Sequence, residues 1–275
     1  MGKKRNYIFP LALILSFFIL WQILSSTGTI NPALFSSPTE VLELFMEKFI
    51  TPVISSPGEL VNILLGKQSP ELKAINHLTS TLYRLTISFA IAAIAGVMLG
   101  VFMGARQYAY KFFDPLITFF MPIPGIAWAP LFIMWIGLGD PNILAVGALA
   151  CFFPIVYNTA TGVRKMGENP LKAARIMGAS KRKKFMDVVI PGSFPHIMTG
   201  LKLGLARGWR TIIAVEMIAA TTYGIGYMII DASDYLLMST IYAGIIAIAG
   251  IYFIMEYGFK LIEKRTIEKW GMVSE

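Results

Sequence analysis

The chain carries a single cysteine, Cys151, so neither an intramolecular disulfide nor a cysteine-based zinc cluster can be built from it. Histidine is nearly as scarce. His77 and His196 are the only two, and no Ser-His-Asp or H-E-x-x-H spacing surrounds them, which leaves the common frames of nucleophilic and metal-assisted hydrolysis unfilled. His77 is expected to cap or pack near the outer end of an apolar segment, and His196 to open another. G-x-x-x-x-G-K-[ST] is absent, so the chain lacks a loop to cradle the phosphates of ATP. No catalytic residue, cofactor or metal site is expected. Charge is sparse too: 15% of residues are charged against 56% hydrophobic, and mean hydropathy is +0.65. A water-soluble domain of 275 residues rarely has that balance.

What the chain has instead is apolar blocks of about 20 residues, the length at which a helix crosses a hydrocarbon core. Spans are read at 7–25, 80–105, 114–138, 143–163, 195–220 and 236–262. The basic start "MGKKRN" also suits a secretory signal, but no small-residue cleavage site follows, so the first block is read as an anchor. Loop charge orients the set, because cytoplasmic loops collect Lys and Arg. Lys3, Lys4 and Arg5, then Arg106 and Lys111, then a strongly basic stretch near 180, then Lys264, Arg265 and Lys269 all fall on one side. The opposite loops, "GLGDPN" and "TTYGIGYMIIDASDY", hold neither Lys nor Arg, and residues 26–79 hold five Glu against three Lys. The pattern predicts an all-α membrane protein with six transmembrane helices and both termini cytoplasmic. The net charge of +8 then reports loops facing the cytoplasm and not a nucleic-acid partner.

Residues 1–79 are an anchor plus an external segment, in which "SPTEVLELFMEKFI" predicts a short helix lying at the outer surface. Residues 80–275 form the core of five spans. Within it, Ala92, Gly96, Gly100 and Gly104 recur every four residues, as do Gly200, Gly204 and Gly208. Small residues at this spacing let helices approach closely in lipid. Packing inside the chain is the preferred reading over a dimerisation face. Pro122, Pro124 and Pro130 in "MPIPGIAWAP" each remove a backbone donor and break the third span. A broken helix at membrane depth is tolerated where it lines a cavity, and kinking for packing is the alternative.

The densest charge lies in "NPLKAARIMGASKRKKFMDVVIPG", residues 169–192, with six Lys or Arg against one Asp. Asn169 and Pro170 open a helix, and good helix formers follow to Gly178. Attraction to anionic lipid explains the charge. It does not explain the small residues Ala173, Ala174, Gly178 and Ala179 among the charges, which suit a helix seated in a groove on another protein.

That stretch resembles the cytoplasmic signature of binding-protein-dependent ABC importer permeases, with Ala173, Ala174, Gly178, Val188, Ile190 and Pro191 at matching positions and Lys172 in place of the usual Glu. "HLTSTLYRLTISFAIAAIAGVMLGVFMG", "PLITFFMPIPGIAWAPLFIMWIGLGD", "FFPIVYNTATGV" and "AVEMIAATTYGIGYMI" are similar to successive segments of the nitrate, sulfonate, taurine and bicarbonate branch. The resemblance implies a type I ABC importer permease fold, a multi-pass location in the cell membrane, and a coupling helix near 169–186. Lys172, Ala173, Ala174, Gly178, Ala179 and Pro191 would then seat against a separate cytoplasmic ATP-binding subunit. It further implies an extracytoplasmic solute-binding protein and a second copy of the permease as partners within the bilayer, and it places Glu216 at an internal polar position.

Pro122, Pro124, Arg207, Trp209, Arg210 and Glu216 are the candidate pathway residues. Arg207 and Arg210 sit three apart on one helical face, deep in the fifth span, where charge is costly without a partner or an aqueous cavity. Pairing with Glu216, snorkelling to the rim, and an electropositive pathway for a small anion such as a sulfonate, nitrate or bicarbonate all stand open. So does a neutral or cationic solute. A secondary transporter is the rival class, with Glu216 and Glu256 as its candidate coupling carboxylates.

Overall fold

The computed structural model describes residues 8–27, 31, 34–64, 67–69, 72–166, 174 and 176–269. Among them, regular structure is entirely helical. Helix α1 (Ile8–Ser26) is apolar on every face and touches the rest through Trp21, whose Nε1 donates to Ser36 O at 3.0 Å and whose ring lies 5.3 Å from that of Tyr242. The expected outer helix follows. α2 (Pro38–Phe45) starts where Ser37 accepts from Glu40 N and Glu40 Oε2 accepts from Ser37 N, with proline in the first turn where its missing donor costs nothing. A wide turn, Met46–Ile50, and the short helices α3 (Thr51–Ser55) and α4 (Pro57–Leu64) complete this layer.

Three helices are long and apolar enough to cross a membrane: α5 (Lys73–Ala105), α8 (Asp140–Lys165) and α12 (Met238–Lys269). α6 (Gln107–Phe120) and α7 (Ala129–Ile136) make a fourth if counted together, and they meet at a 93° bend. The prolines explain the bend. Pro122 and Pro124 occupy the turn, and Pro130 re-enters helix in the first turn of α7, so no helical bond is asked of any of them. α10 (Ile190–Ala219) is membrane-length as well, but carries Lys202, Arg207, Arg210 and Glu216.

α8 is the centre of the core, and both small-residue stripes close on it. A Cβ on Gly96 or Gly204 would overlap Ile155, one on Gly100 would meet Thr159 and Val156 O, one on Gly104 Val163, and one on Gly208 the Cys151 thiol. Packing inside the chain is therefore what the stripes do. α5 and α10 flank α8 as two smooth walls, and Ile155, Cys151 and Val156 are fully buried between them.

Two boundaries differ from the sequence-based expectation. The chain is helical without interruption from 181 to 219, straight through Pro191. After α9 (Lys181–Lys184), the wide turn Phe185–Val189 lets Ile190 N–H bond to Phe185 O, and this looser ladder accommodates the proline ring in the next turn. The helix expected to start near 195 thus starts at Ile190. The segment after it, expected to be a loop, also holds a helix, α11 (Ile225–Asp234), whose Ile225, Met228, Ile229 and Ala232 are buried at helical spacing.

Candidate functional site

Of the expected coupling residues, Lys172 and Ala173 lie outside the described residues. Ala174 is buried, and Gly178 ends its helix with φ +74° while Ala179 N–H donates to Ala174 O at 3.0 Å. A left-handed terminator of this kind favours glycine. No neighbour lies within 4 Å of a Cβ built on Gly178, so the space beside it is open. Ile176 and Met177, 86% and 80% exposed, flank the turn, and Ser180 then accepts from Lys183 N at 3.2 Å to start the basic helix that feeds α10. The segment presents Ile176, Met177, Arg182 and Lys183 outward, the last two on helix continuous with α10.

Arg207 and Arg210 project from α10 away from its buried face. Arg207 Nη2 donates to Ile123 O at 3.2 Å, which satisfies a carbonyl that the α6–α7 break leaves without a helical partner. Gly125, just past the break, abuts Thr211 so closely that a Cβ there would overlap it. Arg207 is thereby brought to the turn that holds the sequence-distant Pro122 and Pro124, while Arg210 Nε donates to Ala206 O of its own helix at 3.1 Å. Pro122, Pro124 and Arg210 are exposed, Arg207 is half-buried, and neither arginine has an acidic partner among the described residues.

Trp209 and Glu216, also expected at the pathway, point the other way. Trp209 is 2% exposed in the main apolar cluster and Glu216 is fully enclosed, so neither forms part of a wall in this conformation. Glu216 pairs with neither Arg207 nor Arg210. Its partner is Arg84, a residue the sequence reading did not single out. Arg84 Nη1 donates to Glu216 Oε1 at 2.7 Å and to Tyr223 O at 2.6 Å, while Nε and Nη2 hold Asp140 Oδ1 at 2.8 and 2.6 Å. Thr81 Oγ1 lies 2.9 Å from both Glu216 oxygens and accepts from Ile225 N, and Gly226 N–H donates to Glu216 Oε2 at 3.0 Å. His77 Nδ1 sits 2.9 Å from Gly224 O and 3.1 Å from Gly224 N, close to its expected packing role. Gly224 has φ +149°, and a Cβ on it would lie 2.6 Å from Glu216 Cδ. One guanidinium thus ties α5, α8, α10 and the entry to α11 together at one end of the bundle. The available signal was a lone Arg at the polar end of an apolar span, in "STLYRLTIS".

Membrane-length helices packed on a glycine-lined centre, a break held open beside two arginines, and a basic segment continuous with a core helix define a membrane transport subunit. The chain belongs to the family of binding-protein-dependent transport system inner membrane components, whose model matches residues 92–268. It is 31% identical to the taurine transport system permease protein TauC of Escherichia coli (strain K12), over 92% of this chain and 86% of that one. It is 31% identical to the bicarbonate transport system permease protein CmpB of Synechococcus elongatus, over 92% and 87%. With the nitrate import permease protein NrtB of Synechocystis it shares 27% over 94% and 88%. In fold it matches an inward facing conformation of the MetNI methionine ABC transporter, with a TM-score of 0.60 and 14% identity across 72% of this chain and 99% of that one.

The resemblance seen in the sequence is therefore a family membership. The chain is a multi-pass permease subunit of an ABC importer with the type I fold, and not an enzyme. ATP is hydrolysed by a separate subunit, and a substrate-binding protein is the other partner that the family implies.

Proposed function

We propose that two copies of this chain pair to form the pathway for a small anion. Each copy spans the membrane six times, through α1, α5, the broken α6–α7 pair, α8, α10 and α12, with both termini cytoplasmic. The observation that carries the reading is the pair Arg207 and Arg210, deep in α10, beside the proline break and without a carboxylate partner among the described residues. Fixed positive charge in a low-dielectric wall attracts a desolvating anion far more strongly than it would in bulk water. Relatives named for taurine, aliphatic sulfonates, bicarbonate and nitrate support the same solute class. Motion of the ATP-binding subunits enters through residues 169–186. Because helix runs unbroken from Lys181 through α10, a push on the basic segment moves the arginines with it.

Uptake decides the solute class. With the transporter reconstituted in vesicles, Arg210→Gln should lower uptake of an anionic solute about tenfold, and Arg207→Gln/Arg210→Gln further, while the ATP-binding subunit still copurifies. The anion reading fails if the double variant transports normally, or if only neutral or cationic solutes are carried.

Gly178 separates docking from helix termination. Gly178→Ala strains the left-handed turn and should cost about 1 kcal/mol of stability without preventing assembly. Gly178→Trp adds bulk into space open within the chain, so it should lose the ATP-binding subunit on size-exclusion chromatography while remaining inserted. Equal assembly by the two variants would assign Gly178 to helix termination alone.

A further inference from the structure

The tie at Arg84 is left open on one side. Nη2 of a guanidinium carries two N–H groups, and in Arg84 only the bond to Asp140 Oδ1 at 2.6 Å uses one of them. The other has no acceptor among the described residues, on a side chain that is 4% exposed. Asp140 is incomplete in the complementary sense. Its Oδ1 accepts from both Nε and Nη2 of Arg84, while Oδ2 has no donor among the described residues and the side chain is 53% exposed. Both groups line one cavity of about 600 Å³ against the first half of α5, a volume in the range of small-molecule sites. Lys67 and Gln68, from the segment after α4, line it too, as do Ser80 and Tyr83 of α5. The Lys67 ammonium and the Ser80 and Tyr83 hydroxyls have no partner among the described residues.

Charge identifies the kind of ligand. At Arg84 one cation meets two carboxylates, Asp140 and the enclosed Glu216, so that part of the lining is acidic overall. Lys67 comes from a different element, is exposed, and makes no ion pair among the described residues. A simple anion would satisfy Lys67 and the free Nη2 donor but face the bare Oδ2 of Asp140. A simple cation would satisfy that carboxylate and face Lys67. A ligand carrying both charges leaves neither group unpaired. Ile63 and Leu82, also in the lining, give a short carbon stem apolar contact.

We propose that this cavity binds a small zwitterion, whose ammonium donates to Asp140 Oδ2 and whose oxyanion accepts from Lys67 Nζ and the free N–H of Arg84. A soluble amino acid-like solute and a phosphatidylethanolamine headgroup share that chemistry. The site has no residue in common with the arginine pair on α10, and it depends on neither the solute class nor the orientation proposed above. Its test uses the permease with its ATP-binding subunit in phosphatidylcholine nanodiscs. The probe is radiolabelled 3-aminopropanesulfonate, which carries both charges; propanesulfonate and propylamine carry one each. The probe should bind saturably, and each single-charge analogue should compete about tenfold less well. Lys67→Gln and Asp140→Asn should each weaken binding about tenfold, the loss of one charge-assisted hydrogen bond. Both side chains are exposed, so the unfolding temperature should change little. Asp140→Glu keeps the carboxylate and should recover part of the affinity that Asp140→Asn loses. Phosphatidylethanolamine nanodiscs separate the two sources: probe binding that falls there assigns the cavity to the headgroup, and unchanged binding assigns it to a soluble zwitterion. Absence of saturable binding in phosphatidylcholine overturns the proposal. So does binding that survives both substitutions, or that either single-charge analogue matches.

Discussion

Gly100→Leu should abolish accumulation of folded permease in the membrane fraction, whereas Gly250→Ala should leave it unchanged. Gly100 faces α8 across the contact between α5 and α8. A Cβ there would already lie 2.6 Å from Thr159 Cβ and 2.8 Å from Val156 O, and a carbonyl in a helix ladder has no rotamer by which to withdraw. Overpacking a well-filled site costs about 1–3 kcal/mol for one or two added carbons. Three more carbons against backbone must separate the helices instead, at the expense of every contact α8 makes on that wall. Gly250 on α12 has no neighbour within 4 Å of a Cβ, and alanine is the better helix former by about 1 kcal/mol. Detergent-extracted protein, followed by size-exclusion chromatography and thermal unfolding, makes the comparison. A Gly100→Leu protein with parental yield and unfolding temperature would contradict this packing. Gly204→Leu tests the opposite wall in the same way, against Ile155 and Cys151 O.

Arg84→Met should be the most damaging single change among the charged residues of the core. It leaves Glu216, fully enclosed, with Thr81 and one backbone donor but no cation. Stranding one member of a buried ion pair costs about 3–5 kcal/mol, a large share of the roughly 5–15 kcal/mol by which a protein domain is stable. Asp140 contacts the same guanidinium but is 53% exposed, so Asp140→Asn should cost under about 1 kcal/mol. The double variant Arg84→Met/Glu216→Gln removes the stranded charge and should recover part of the loss, giving a coupling between the two positions of at least about 1 kcal/mol. Denaturation in matched detergent gives the numbers. If Arg84→Met unfolds no more readily than Asp140→Asn, the guanidinium is not the tie it is described to be.

Features that depend on local spacing were legible in the sequence. The glycine stripes declare themselves every four residues, the prolines of "MPIPGIAWAP" locate the bend, and the basic stretch with its embedded alanines marks the segment that meets another protein. Long-range pairing was not legible. Arg84 and Glu216 are 132 residues apart, and sequence spacing made Arg207 and Arg210 the nearer candidates for that carboxylate. Helix geometry excludes them, because the two arginines leave α10 on the side opposite its buried face. α11 is hard to see in the sequence because its buried positions are few and its first turn lies in the glycine-containing "YGIGY". The start of α10 was misplaced because proline is a stop signal only in a regular ladder, and the wide turn at Phe185–Val189 loosens the ladder before Pro191.

The enclosure of α8 between two glycine walls also sets the order of events during synthesis. Thr159 follows Gly100 by about sixty residues, a wait of roughly 3 to 12 s at ordinary translation rates. For that interval α5 stands in the bilayer, or against the insertion machinery, with its smooth face uncovered. After the broken α6–α7 pair, α8 enters, bringing Asn142, Asn158 and Thr159 into an apolar solvent. Its other flank stays open until α10 emerges. A helix that depends in this way on one neighbour already made and another still on the ribosome needs a sheltered place in which to wait, so the biogenesis of this permease is more exposed to slow translation or a missing insertion factor than its finished packing would suggest.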